Sequence, residues 1–139
     1  MKKLRNAKII TIIFHGFITI IAGHGLALMC IADVFVPYLF FKGELKINAS
    51  IFSDSTNFIP LSIFSSFFGK IILIGSLFIR GKLWKIWLTI FGLLLLLLSF
   101  VCIVFQHDDS LSMISFLSGI PFLLYLSRTG YLLYMTKNE

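Results

Sequence analysis

The residues best suited to chemistry in this sequence are few, and they lie where polar groups are costly. Lys70 falls inside an apolar run from Phe58 to Ile79, about 11 residues from either end. If that run is a helix across a bilayer, the lysine lies roughly 16 Å deep. An ammonium there costs on the order of 2.5–3.5 kcal/mol, and its stem is too short to reach either surface freely. Lys70 is therefore expected to face other protein and to find an acceptor or lose its proton. Helical phase agrees: Ser62, Ser66 and Gly69 fall within roughly 100° of it on one side, and Ser65 and Ser76 extend that face.

Depth arithmetic along straight helices brings further residues to the same level. His24 is about nine residues from the outer end of its run, so roughly 13 Å deep. Ser99 and Ser118 come out somewhat shallower. These four predict one polar layer in the outer half of a bundle, with Asp33 above it at the outer mouth. Two chemistries suit such a layer. In one, Lys70 makes a structural hydrogen bond to a carbonyl, a serine or Asp33. In the other, it binds substrate or relays protons along a transport path. His15 precedes His24 by nine residues, two and a half turns, so on one helix they point apart. It is read as packing or interfacial.

Other constellations are weaker. Haem needs ligands from facing helices at compatible depth. The remaining histidine, His107, lies at the surface end of its run, so no cofactor is expected. His107-Asp108-Asp109 reads as a solvated turn, and no metal is expected. Cys30 and Cys102 match in depth. They read either as two small residues on helix faces or as a disulfide between the first and third spans. Neither belongs to a CxxC pair. There is no GxSxG, HExxH, P-loop or dinucleotide-binding glycine pattern, so no catalytic residue is assigned.

The elements that must position these groups follow from composition. Of 139 residues, 58% are hydrophobic and 13% charged, and the mean hydropathy is +0.99. Soluble domains average about 45–50% apolar and about 25% charged. Four runs are long enough to span, given the roughly 17–25 residues a crossing helix needs: 9–32, 58–79, 86–105 and 111–135. The first is too long for a signal-peptide core of about 7–15 residues. Hydrocarbon offers the backbone no water, so each run is expected to be helical.

The net charge of +6 does not point to nucleic acid, because the Lys and Arg residues punctuate the ends of apolar runs. Nine of them fall at the N-terminus, the link between the second and third runs, and the C-terminus; Lys42 and Lys46 alone occupy the other two connections. That asymmetry predicts both termini on the cytosolic side. Trp84, Trp87, Tyr131 and Tyr134 fall at the same level, where aromatic belts form.

The connections after the second and third runs are tight, so runs two to four should pack as antiparallel neighbours. The external segment 33–57 is long. Its part from Val34 to Phe41 is apolar and is expected in the membrane interface, and Lys46 to Phe52 alternates like a strand. The expected fold is thus a single all-α membrane domain over 1–139, a four-helix bundle in a bacterial inner or plasma membrane. The expected partners are the lipid bilayer and either further copies or another membrane protein. Two roles follow. One is non-enzymatic action through packing or a partner. The other is a small oligomeric transporter or channel built on the Lys70–His24 layer.

Overall fold

The computed structural model describes residues 2–22, 25–43, 58–105 and 109–138. The chain is mostly helical. Its order is α1 (Lys2–Gly16), β1 (Thr19–Ala22), β2 (Gly25–Leu28), α2 (Met29–Phe41), α3 (Phe58–Phe78), α4 (Lys82–Val104) and α5 (Asp109–Asn138). His24, His107, Asp108 and most of the expected external segment (44–57) lie outside the described residues, and with them the strand expected over 46–52.

Helices α3 and α4 form the most extensive contact in the molecule. Both are rich in Ile, Leu and Phe, and α3 over Leu61–Phe78 and α4 over Lys82–Val104 are long and apolar enough to cross a membrane. Gly81 turns the chain between them, and its carbonyl accepts the Lys85 N–H at 3.0 Å. Their backbones meet at two glycines. A Cβ on Gly92 would lie 2.8 Å from Leu73 Cγ and 3.2 Å from the Gly69 carbonyl oxygen, and one on Gly69 would lie 3.2 Å from the Gly92 oxygen. Small residues at a crossing allow this approach, which gains dispersion contacts along both helices.

Helix α5 has 30 residues, continues through Pro121, and packs on α1 more than on α4. Its Gly119 receives the Phe100 ring of α4: a Cβ there would fall 2.1 Å from Phe100 Cε2. Phe100 and Phe122 join Leu73, Leu96, Met29 and Ile18 in the main apolar core.

The first run departs from expectation. Instead of one helix over 9–32, the chain leaves helical geometry after Gly16, forms an antiparallel hairpin and re-enters a helix at Met29. The register pairs Thr19 with Leu28, Ile20 with Ala27, Ile21 with Leu26 and Ala22 with Gly25. The residues explain the switch. Ile18-Thr19-Ile20-Ile21 is a β-branched run, stiff at χ1 and suited to strands. Glycines at 16, 23 and 25 weaken a helix through the same stretch. The backbone groups of the hairpin are satisfied where they are described: its strands bond to each other, and the edge of β1 bonds to serines of α5.

The hairpin changes depth. The Met29 N–H donates to the Ile18 carbonyl at 2.9 Å, so 11 residues of chain return to their starting level. On a straight helix they would have advanced about 16 Å. The start of α2 is therefore level with Ile18, at the approach to β1, rather than further along a helix. Val34 to Phe41, expected in the interface, belongs to α2, which packs on α3.

Candidate functional site

The polar residues of this bundle form a column rather than one layer. Helix α1 supplies its spine. Leu4, Lys8, Thr11 and His15 are spaced by four, three and four residues, which places them on one helical face, and all four are buried. The far side carries Ile9 and Ile13, which are exposed, and Arg5 lies on the flank between.

At the end where α1 starts, Lys8 is wholly buried. Its ammonium donates to Ser76 Oγ of α3 at 3.0 Å and to Thr89 Oγ1 of α4. Both hydroxyls pass their own protons to carbonyls one helical turn back, Ser76 to Leu73 and Thr89 to Lys85. One turn along α1, the hydroxyls of Thr11 and Thr129 lie 2.9 Å apart and link α1 to α5.

His15 occupies the centre. Its Nε2 lies 3.2 Å from the Leu96 carbonyl oxygen and its Nδ1 lies 3.4 Å from Ser66 Oγ. A carbonyl can only accept, so Nε2 carries a proton, and in the neutral ring Nδ1 accepts from Ser66. The Phe122 ring meets the imidazole edge-on at 4.7 Å between centroids. The charge of Lys70 is within electrostatic reach of this ring.

Lys70 forms an ion pair with Asp33 Oδ2. Both side chains are nearly enclosed, at 13% and 8% exposure. The other carboxylate oxygen, Oδ1, is buried and has no hydrogen-bond partner among the described residues. Gly16, the last residue of α1, allows the close approach of Cys30: a Cβ there would stand 3.3 Å from Cys30 Cβ, with Lys70 Nζ in ordinary contact at 3.9 Å. Beyond them Ser62 and Ser99 bring their hydroxyls to 3.4 Å. From Ser76 to Ser62 the column runs about 21 Å along α3.

The serines of α5 have a different task. Ser118 Oγ accepts the Thr19 N–H at 3.0 Å, and Ser115 Oγ donates to the Thr19 carbonyl at 2.8 Å. They cover the edge of β1 in the way a further strand would.

The expected site residues are thus divided. Lys70 and Asp33 meet directly, Asp33 lying level with the lysine rather than above it at the mouth. Ser99 joins Ser62, Ser118 serves the hairpin, and His24 lies outside the described residues. Cys30 and Cys102 are both free thiols, Cys30 exposed and Cys102 half-buried. Of the two readings of the cysteines, the disulfide does not form: its matched depth assumed one straight first helix, and the hairpin instead brings Cys30 against Gly16. Lys8 and His15 were missed as site residues. Lys8 is among the charges expected at the N-terminal end, and of the two readings of His15, packing or interfacial, the structure has packing. Their signal was the spacing Leu4-Lys8-Thr11-His15. Among the described residues no three of His, Cys, Asp and Glu gather where they could hold a metal ion. No family model, curated protein or solved structure matches this chain.

Proposed function

We propose that this chain is a small integral membrane protein that crosses the bilayer four times, with both ends in the cytosol. In this reading it acts without catalysis, through the faces it offers to a partner or to further copies. The first crossing is made by α1 and α2 in succession with the hairpin pinched out between them, and α3, α4 and α5 make the others. The observation that carries the reading is the inversion of polarity. Lys8, Thr11, His15, Ser66, Ser76 and Thr89 are buried and bonded to one another's helices, while Phe68, Ile71, Ile74, Phe91, Leu94 and Leu98 face outward. Polar side chains act as glue between helices where lipid is the solvent. Exposed Trp84, Trp87, Tyr131 and Tyr134 supply an aromatic belt at the cytosolic side.

The test combines extraction with labelling. Alkaline carbonate should leave the protein in the membrane pellet. With Cys30 and Cys102 replaced by alanine, an impermeant maleimide applied to intact cells should label Lys46→Cys and spare Arg80→Cys. Recovery in the supernatant, or equal labelling, would sink the reading.

A second reading, proton- or anion-coupled transport, draws support from one place. The first crossing is broken beside the Asp33–Lys70 pair, and Asp33 Oδ1 has no partner among the described residues. Discontinuous helices with ionisable groups at mid-depth are how transporters build binding sites. In liposomes under an imposed pH gradient, the protein should then pass protons and Lys70→Met should stop them. A flux no greater than that of protein-free liposomes ends this reading.

A further inference from the structure

A cavity of about 500 Å³ opens at the end of the bundle where α1 starts and α3 turns into α4. Four cationic residues line it, Arg5 of α1, Arg80 of the turn, and Lys82 and Lys85 of α4, and no carboxylate does so among the described residues. Apart from Thr136 its remaining walls are apolar, Leu4, Ile86 and Leu133 among them. Helix α4 begins here at Lys82 with no side-chain cap on its first turn, and a helix N-terminus favours an anion.

A second hollow, of about 380 Å³, adjoins the first and shares Ile86 and Leu133 with it. It is a groove between α4 and α5 lined almost wholly by apolar side chains, running from Ile86 through Ile90 to Leu97. Eleven residues of helix make it about 16 Å long, close to half of a hydrocarbon core roughly 30 Å thick. Gly130 leaves its wall open: a Cβ there would meet nothing within 4 Å.

We infer that these two hollows form one site for an anionic phospholipid of the cytosolic leaflet. The phosphate headgroup lies among Arg5, Arg80, Lys82 and Lys85, and an acyl chain lies along the α4–α5 groove. A free phosphate would use the first hollow and leave the groove without purpose. Basic pockets between membrane helices on the cytoplasmic side suit such headgroups. This inference rests on the membrane reading above.

The experiment uses the full chain in neutral detergent micelles doped with phosphatidylglycerol or phosphatidylcholine, followed by thermal unfolding. Phosphatidylglycerol should raise the midpoint saturably, at a concentration at least about tenfold lower than phosphatidylcholine. The triple variant Arg5→Gln/Arg80→Gln/Lys82→Gln should reduce that preference below about twofold. Gly130→Phe fills the groove from an open position. It should abolish the shift while leaving the lipid-free midpoint in place. Equal effects of the two lipids, or a preference kept by both variants, overturn the inference. Inorganic phosphate reproducing the whole shift assigns the site to a free anion and also overturns it. Carbonate extraction separates the two failures. A chain in the pellet with no lipid preference defeats the lipid site alone, whereas a chain in the supernatant defeats the membrane reading as well.

Discussion

The α3–α4 pair and the α1–hairpin–α2 segment, the first crossing in the membrane reading proposed above, solve the same problem by opposite means. Helices α3 and α4 satisfy their backbones internally and meet glycine to glycine, so their contact depends on shape. The α1–hairpin–α2 segment gives up helical bonds in β1 and β2 and recovers them from outside: strand from strand, Thr19 from Ser115 and Ser118, Met29 from Ile18. Its second helix is then fastened by charge, Asp33 of α2 to Lys70, while Lys8 of α1 donates to the hydroxyls of Ser76 and Thr89. A region stabilised by fit should resist loss of a polar group and suffer from an added methyl. A region stabilised by specific bonds should do the reverse.

The largest expected effect therefore lies in the ion pair. Asp33→Ala leaves the Lys70 ammonium enclosed without its partner, and breaking a buried pair on one side costs about 3–5 kcal/mol. Replacing both, Asp33→Leu with Lys70→Met, should return stability to within about 1 kcal/mol of the native protein. Unfolding of the detergent-solubilised protein reads both. A silent Asp33→Ala would mean that packing alone holds α2 to α3.

Next is Gly92→Ala. The new methyl would press on Leu73 and on the Gly69 carbonyl, and overpacking of this kind costs about 1–3 kcal/mol. The same unfolding measurement should show the loss. A neutral result would show that the pair can separate without penalty, removing the contrast with the first crossing.

Pairing Ser115→Ala with Ser118→Ala strips the edge of β1. Polar pairs between membrane helices average about 0.6 kcal/mol, so roughly 1 kcal/mol is expected for the two. The sharper readout is local. Hydrogen exchange at the Thr19 amide should speed up several-fold while the amides of α3 and α4 keep their rates. Uniform acceleration would show that the hairpin is not a separate unit of stability.

This contrast also marks what was legible in the sequence. The limits of α3 and the existence of α4 and α5 followed from the apolar runs, because an apolar segment of that length has few alternatives to a helix. The break after Gly16 did not. A run that is apolar on every side carries no period, and Ile18-Thr19-Ile20-Ile21 fits a strand as readily as a helix. One missed turn displaced what followed. Asp33 was assigned to the mouth by counting a rise for residues that fold back on themselves, and the same count matched Cys30 with Cys102. Lys70 survived because its own helix is straight. His15 and Lys8 were visible as a face of α1, yet distance from the end of the run outweighed phase.

Lys8 gives the smallest and most discriminating change. Its ammonium bridges Ser76 and Thr89, but each of those hydroxyls keeps a carbonyl acceptor within its own helix. Lys8→Met preserves the stem that fills the space and leaves no group unsatisfied. Replacing a buried charge by an apolar side chain of similar volume is often neutral, so the unfolding free energy should move by less than about 1 kcal/mol. Lys8→Ala removes the stem as well, and the resulting cavity should cost about 2–5 kcal/mol more. If Lys8→Met instead costs as much as Asp33→Ala, the α1 end of the column is held by charge like the α2 end. The stem of Lys8 would then be incidental to how the first helix is fastened.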